Sequence, residues 1–301
     1  MSAVIDIEKK SPATSPETPS GKGAGDENFP VGSFLLPKKL RPHVATYYAF
    51  ARAIDDIADN GQLSAAIRIE RLNAFGAALD GAAGYNDGYE KALALRASML
   101  ETNVPTKHGS DLIKAFVQDC EKTRYDTWDE LLDYCDKSAN PVGRYLLDLH
   151  GEKKSGYRYS DALCTVLQIV NHLQDCGEDK EELDRVYIIR SWLKEEGGDI
   201  ALIDEAETAP PLRHVIDRML DGCEEIMKDA RQLPAALKSK SLAMESAVIV
   251  RLADRLIKRL RNGDPLATRV ALSKIDFAQA GLFGAVSGLF QAGTLSKSEQ
   301  A

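Results

Sequence analysis

Four polar side chains at steps of three, four and four on one apolar helix constrain this chain more than any other feature. Gln168, Asn171, Asp175 and Asp179 share a stripe in a segment whose Leu163, Val166, Leu167, Val170 and Leu173 repeat at helical spacing. A mostly buried helix tolerates such a stripe only where the polar heads meet partners. A second stripe lies far upstream, where Tyr48, Arg52, Asp55 and Asp59 fall at steps of four, three and four among Tyr47, Phe50, Ala51, Ile54 and Ile57. Carboxylates one turn apart repel and call for cations. Mg²⁺ suits them because it takes one or two carboxylates and completes its shell with water and phosphate oxygens. The spacing therefore predicts two facing helices that hold Mg²⁺ around a diphosphate.

Asp-x-x-x-Asp is a weak pattern alone, and it recurs at Asp129/Asp133 and Asp217/Asp221. Those two pairs sit on ordinary amphipathic helices beside Glu130 or Glu224 and Glu225, so they read as solvated faces. Only the other two pairs share their stripe with Gln and Asn, or with Tyr and Arg.

The rest of the chain reads as helix after helix, broken by Gly, Pro, Asn and Asp. A first helix opens at Pro37 to Arg41, carries Tyr48 to Asp59 and stops near Asn60-Gly61. Helical periods then run through about Ser64–Leu79, Glu90–Leu100, Gly109–Lys122, Thr127–Asp136, Arg144–His150, Ser160–Cys176, Leu212–Leu233 and Ser241–Leu260, with a last helix after the Asn262-Gly-Asp-Pro265 turn. Pro141-Val-Gly143 reads as an interruption, and Glu181–Lys194 as an ill-defined stretch closed by Gly197-Gly198. No run alternates with the period of a strand. The fold class is all-α, one domain of about ten helices from residue 26 to 292. Residues 1–25, rich in Ser, Pro, Thr, Lys and Gly, lack the apolar content to order themselves, and 293–301 read as a frayed tail.

Composition narrows the function. With 301 residues, 44% hydrophobic and 28% charged, the chain can bury a substantial core, and its net charge of -8 with no basic face excludes a nucleic-acid partner. Five scattered cysteines without a Cys-x-x-Cys read as reduced thiols of a cytoplasmic protein, and five dispersed histidines give no zinc site. No signal core or membrane span stands out. No dinucleotide fingerprint appears, so NADPH is not expected.

Other candidates stay open on the residues alone. Arg144, Arg185 and Tyr187 could approach a phosphate, but an arginine there equally makes a salt bridge. Tyr134 and Tyr187 equally pack with satisfied hydroxyls. His172 reads as a supporting histidine rather than a ligand.

Three motifs in order, Asp55-Asp-Ile-Ala-Asp59, Tyr134-Cys with Pro141-Val-Gly143, and Gln168-x-x-Asn-x-x-x-Asp-x-x-x-Asp179 with Arg185-Val-Tyr187, resemble the squalene/phytoene synthase family. The resemblance runs from about Asn28 to Lys274 and implies the isoprenoid synthase fold, helices around a central cavity. It implies that Asp55, Asp59, Asp175 and Asp179 bind Mg²⁺ and the diphosphate. By the same resemblance Tyr48, Arg52, Gln168, Asn171, Arg185 and Tyr187 line the diphosphate end, and Tyr134, Val142 and Gly143 lie near the reacting carbons. Glu27–Pro37 and Ser138-Ala-Asn-Pro-Val-Gly-Arg144 resemble the bacterial subgroup that forms hydroxysqualene for hopanoid biosynthesis.

That subgroup takes presqualene diphosphate, expels diphosphate and captures the rearranged cation with water. Asn140, Asn171 and Gln174 are the polar groups suspected of placing that water. Two departures, Asp26-Glu-Asn-Phe29 where many members have Ser-x-Ser-Phe, and Gln174 where most have Arg, remove hydroxyl or positive contacts near the first diphosphate. They are compatible with an enzyme that starts from the cyclopropyl intermediate. The alternatives are presqualene diphosphate, squalene or phytoene synthases, which condense two prenyl diphosphates, and a non-catalytic scaffold, which would be expected to have lost some of the four aspartates. The resemblance also implies coupling to a presqualene diphosphate synthase and a hydroxysqualene-reducing flavoenzyme, and leaves peripheral contact with the inner membrane open.

Overall fold

Helix starts and stops written in the sequence set most of the architecture of the computed structural model, which describes residues 35–295. The segment 1–25, the Asp26–Phe29 departure and residues 296–301 lie outside the described residues. Thirteen α-helices follow one another among the described residues: α1 (Arg41–Ala58), α2 (Ala65–Asp80), α3 (Glu90–Thr102), α4 (Lys107–Asp119), α5 (Trp128–Ser138), α6 (Asn140–Leu149), α7 (Tyr157–Gln174), α8 (Cys176–Leu183), α9 (Arg190–Glu195), α10 (Pro210–Ala230), α11 (Leu233–Ala236), α12 (Lys240–Asn262) and α13 (Lys274–Gln291). Ser64, Thr127 and Ser239 cap α2, α5 and α12 by accepting a backbone N–H of the first turn. Ser273 and Asp276 form a reciprocal capping box on α13.

The all-α class holds, with a single isolated bridge, Arg124 to Val186, as the only extended pairing among the described residues. The helix count is higher than the periodicity suggested because α8 and α9 occupy the stretch that read as ill-defined and Leu233–Ala236 forms the short α11. Pro141 does not interrupt a helix but sits in the first turn of α6, where its missing N–H costs nothing. The segment after Asp179 divides: α8 stops at Leu183, Asp184 takes a left-handed φ of 51°, and α9 begins at Arg190. Between them Val186 and Arg190 donate to the carbonyls of Thr123 and Tyr125.

The central helix ends two residues earlier than expected and begins three residues earlier. α7 ends at Gln174, and Asp175 sits at φ -104°, ψ 14° between α7 and α8. The hydrogen-bond ladder still crosses the joint, from Asp175 N–H to Asn171 carbonyl at 3.0 Å and from Asp179 N–H to Asp175 carbonyl at 2.8 Å. The stripe is therefore bent, not severed.

One large core joins α1 through α7 and α9 through α12. α1 packs on α2, α3 and α4, whereas α7 packs on α6, α10 and α12. A smaller cluster around Val248, Leu252 and Ala280 lies between α12 and α13. Those two helices meet backbone to backbone: a Cβ at Gly284 would lie 2.7 Å from Val248 Cα, and one at Gly288 2.6 Å from Met244 Cα. The outer side of α13 stays uncovered, exposing Ile275, Leu282, Phe283, Val286, Leu289 and Phe290. All five cysteines are free, and burial pushes the Cys164 and Cys176 thiols up to about 12. No described helix is long and apolar enough to cross a membrane.

Candidate active site

Both acidic stripes end where helix dipoles are negative. Asp55 lies in the last turn of α1 and Asp59 caps it, with no basic residue in that turn. Asp175 occupies the same place at the end of α7, where His172 is the one basic side chain. Carboxylates there add to the partial negative charge of unpaired carbonyls, so the region draws cations. Asp179 is better placed, in the first turn of α8.

Arginines answer that charge. Arg185 ties the two acidic segments together: its guanidinium donates to Asp59 at 2.7 Å, and its backbone N–H donates to the Asp179 carbonyl at 3.0 Å. At 6% exposure it is a buried cation. Arg52 pairs with Asp55 at 2.8 Å and with Asp56 at 2.9 Å. Arg269, from the segment after α12, reaches Asp175 at 3.0 Å. Even so, Asp55 is pushed up to about 7, by burial first and then by the Asp59 charge.

Aromatic rings floor this end. Tyr187 stacks on His172 with centroids 3.4 Å apart and on Tyr125 at 5.4 Å. Gln168 donates its amide to His172 Nε2 at 3.0 Å, which places the ring proton on Nδ1, 3.6 Å from Asp179. His172 thus sits beside Asp179 as a supporting residue, held by Gln168 and the Tyr187 ring. Tyr134 packs against His172 and Tyr187 and donates its hydroxyl to Asp119 at 2.9 Å. Asn171 lies half-buried on the same side of α7.

The earlier turns of the same two helices line an apolar cavity of about 300 Å³, closed by α6, α11 and α12. Tyr48 and Ala51 face it from α1, Leu163, Cys164 and Leu167 from α7, and Val142 and Gly143 from α6. Glycine at 143 lets α6 approach α7, since a Cβ there would lie 2.7 Å from Cys164 Sγ. A greasy chamber therefore opens from the turns that precede a charged end.

Two suspected residues are not brought to this site. Asn140 is buried with its amide committed, donating to Asp136 at 3.2 Å and accepting from Thr165 at 3.0 Å. Gln174, 2% exposed, donates to the Val270 carbonyl at 2.6 Å and braces the segment that carries Arg269. Arg144 makes the bland choice, a fork on Asp161 at 2.8 and 2.7 Å. Asp217 and Asp221 pair with Arg213 and Arg261 at 2.8 Å, while Asp129 and Asp133 are exposed, as solvated faces should be.

Sequence reasoning missed Arg269, Asp119 and Glu245. Asp119 is 3% exposed and pushed up to about 7 by burial, with Asp59 and Asp179 adding to the shift. Its signal was a carboxylate closing an apolar helix. Arg269 had no local signal, because its partner is far away in sequence.

Comparison with known proteins agrees with this geometry. Residues 23–276 match the squalene/phytoene synthase family. The chain is 40% identical to a hydroxysqualene synthase of Rhodopseudomonas palustris over 90% of its length and 91% of that protein's. It is 36% identical to a hydroxysqualene synthase of Zymomonas mobilis over 95% and 96% of the two chains. Among solved structures, squalene synthase HpnC from Alicyclobacillus acidocaldarius superposes with a TM-score of 0.68 at 31% identity, covering 77% of this chain and 87% of the other. A match across this much of the chain leaves one assignment: it belongs to the squalene/phytoene synthase family.

Proposed function

We propose that the chain is a hydroxysqualene synthase, which converts presqualene diphosphate and water to hydroxysqualene and diphosphate. One observation carries the reading: an apolar cavity opens off the turns that precede two acidic helix ends laced with arginine. Relatives of that name, 35–40% identical over most of the chain, support it.

The residues divide the work by chemistry. Arg52, Arg185 and Arg269 pair with Asp55, Asp59 and Asp175, and in this reading their guanidinium groups also meet diphosphate oxygens. The donor set suits Mg²⁺: all-oxygen, paired, and with Asp55 held so high that added positive charge would relieve it. Among the described residues no three His, Cys, Asp or Glu side chains converge to cage a metal, so diphosphate oxygens would complete the shell for Asp55, Asp59, Asp175 and Asp179. Bound Mg²⁺ supplies the charge that stabilises diphosphate as it leaves. His172, held by Gln168, sits 3.6 Å from Asp179 and would support it electrostatically when protonated. Tyr48, Val142, Gly143, Leu163 and Leu167 enclose the hydrocarbon and keep bulk water from the cation.

We further propose that the protein touches a lipid surface through α13. Its uncovered apolar side lies beside the exposed basic residues Arg251, Lys258 and Lys274, which matches an anionic bilayer. In sedimentation, vesicles containing phosphatidylglycerol should carry down the wild type, and Phe283→Asp with Phe290→Asp should remain in the supernatant. In this scheme a prenyl diphosphate condensing enzyme supplies the substrate and a reductase consumes the alcohol.

The test is one incubation of purified protein with presqualene diphosphate, Mg²⁺ and isotope-labelled water, without NADPH. Labelled hydroxysqualene is the expected product. No turnover there, with farnesyl or geranylgeranyl diphosphate consumed in a parallel tube, would instead make it a condensing synthase; silence in both would favour a scaffold.

A further inference from the structure

One carboxyl in the cavity wall has no structural reason to be there. Glu245 lies on α12 between Leu242, Ser246 and Ile249, which line the apolar chamber with it. It is 5% exposed, and its Oε2 has no hydrogen-bond partner. Among the other buried acids, Asp111 is paired with Lys114 and Asp276 with Arg255 and Arg259, while Asp119 accepts from the Tyr134 hydroxyl on one oxygen and leaves Oδ1 without a partner. A bare buried carboxyl costs the fold and returns no packing that a Met or Leu would not.

The chemistry of the chamber supplies a reason. Capture of a carbocation by water first gives a protonated alcohol, which must lose a proton in surroundings that hold no bulk water. The diphosphate end is a rival acceptor only at the near end of the chamber, where Ala51 precedes Asp55 by one helical turn; at the far end Ser160 and Cys164 lie 11 to 15 residues before Asp175, or roughly 16 to 22 Å along a helix. The other polar atoms of the wall belong to Tyr47, Tyr48, Tyr145, Ser160, Cys164 and Ser246, which can hold a water but are poor proton acceptors at neutral pH.

We propose that Glu245 holds the capturing water and accepts its proton. The inference rests on the water-capture function above. A lone pair of the water oxygen forms the C–O bond to the cation. One O–H bond breaks with its electrons staying on oxygen, and the proton passes to the carboxylate. A cation, a carboxylate and a water become a neutral alcohol and a neutral acid, which returns its proton to solvent when product leaves. Burial pushes the Glu245 carboxyl up to about 7, so near neutral pH it is a stronger base than an exposed glutamate yet still substantially ionised.

The test follows two products of one reaction, hydroxysqualene and released diphosphate, for the wild type, Glu245→Gln, Glu245→Met and Glu245→Asp with presqualene diphosphate and Mg²⁺. In the Gln and Met variants the ratio of hydroxysqualene to diphosphate should fall at least about tenfold, with alkenes or rearranged alcohols making up the balance. The Asp variant should recover part of the ratio. Two neutral replacements keep the test in hand if one fails to fold. An unchanged ratio in a folded Gln or Met variant overturns the proposal while the proposed function stands, even if both products slow together. Absence of hydroxysqualene from the wild type overturns the function itself.

Discussion

Arg185 concentrates the electrostatics of the charged end in one side chain. It spans from the Asp59 carboxylate to the Asp179 backbone, so the two acidic segments share a cation before any ligand arrives. Diphosphate then competes for a guanidinium already held in place, and the site gives up little side-chain freedom on binding. Asp59→Asn and Asp179→Asn should each lower kcat by at least about 100-fold, with far-ultraviolet circular dichroism unchanged. Retained turnover in either would remove that acid from the metal set. Glu245 makes a separate demand at this scale. Its folded pKa of about 7 lies above the ordinary glutamate value of 4.5, so the folded state holds the proton more tightly. The folded protein therefore loses stability as pH rises from about 4.5 through 7, and the deficit is constant above that. Glu245→Gln removes the deficit. Its gain over the wild type should be on the order of 2–3 kcal/mol at pH 8 and vanish near pH 4.5, read from denaturant midpoints.

At the scale of elements, the sequence showed the long helices and concealed their joints. Apolar residues at 3.6 spacing mark α1, α2, α10 and α12 within a few residues, and Ser64, Thr127 and Ser239 fix their starts or that of α5. The bend at Asp175 was masked, because Asp175 and Asp179 keep their ladder bonds across it even though the apolar run of α7 gives way there to Gly177 and a charged stretch. Arg269 pairs with Asp175 across a long stretch of chain, a relation that only the tertiary structure creates. Asn140 and Gln174 looked like free polar groups because the partners that occupy them, Thr165 and the Val270 carbonyl, belong to other elements. Glu245 was missed, since periodicity cannot tell a solvent face from a cavity wall. The α12–α13 seam offers a direct test of element packing. A Val side chain at Gly288 would drive its Cβ into Ala243 and Met244 backbone, so Gly288→Val should cost about 1–3 kcal/mol. Faster hydrogen exchange or proteolysis confined to α13 would show that the helix has lifted.

The whole molecule is a shell of helices built around two unlike interiors, one apolar and one saturated with charge. The two acidic helix ends repel each other in the free protein and are relieved by any ligand carrying metal and phosphate. Inorganic diphosphate with Mg²⁺ at about 100 times its dissociation constant should therefore stabilise the protein by about 2.7 kcal/mol, an upward Tm shift of several degrees. Mg²⁺ alone should do less, because the carboxylates do not converge without the bridging anion. Equal shifts with and without diphosphate would mean a metal site built by protein alone. The free cysteines add a last property of the molecule as a whole. With four thiols buried, Cys164 partly buried in the chamber wall, and Cys164 and Cys176 held far from ionisation, the folded chain offers a disulfide reagent little to attack. Labelling must then wait for the structure to breathe, so the cysteines act as clocks set in different helices. Cys164, in the chamber wall, is the clock that a bound hydrocarbon would slow first.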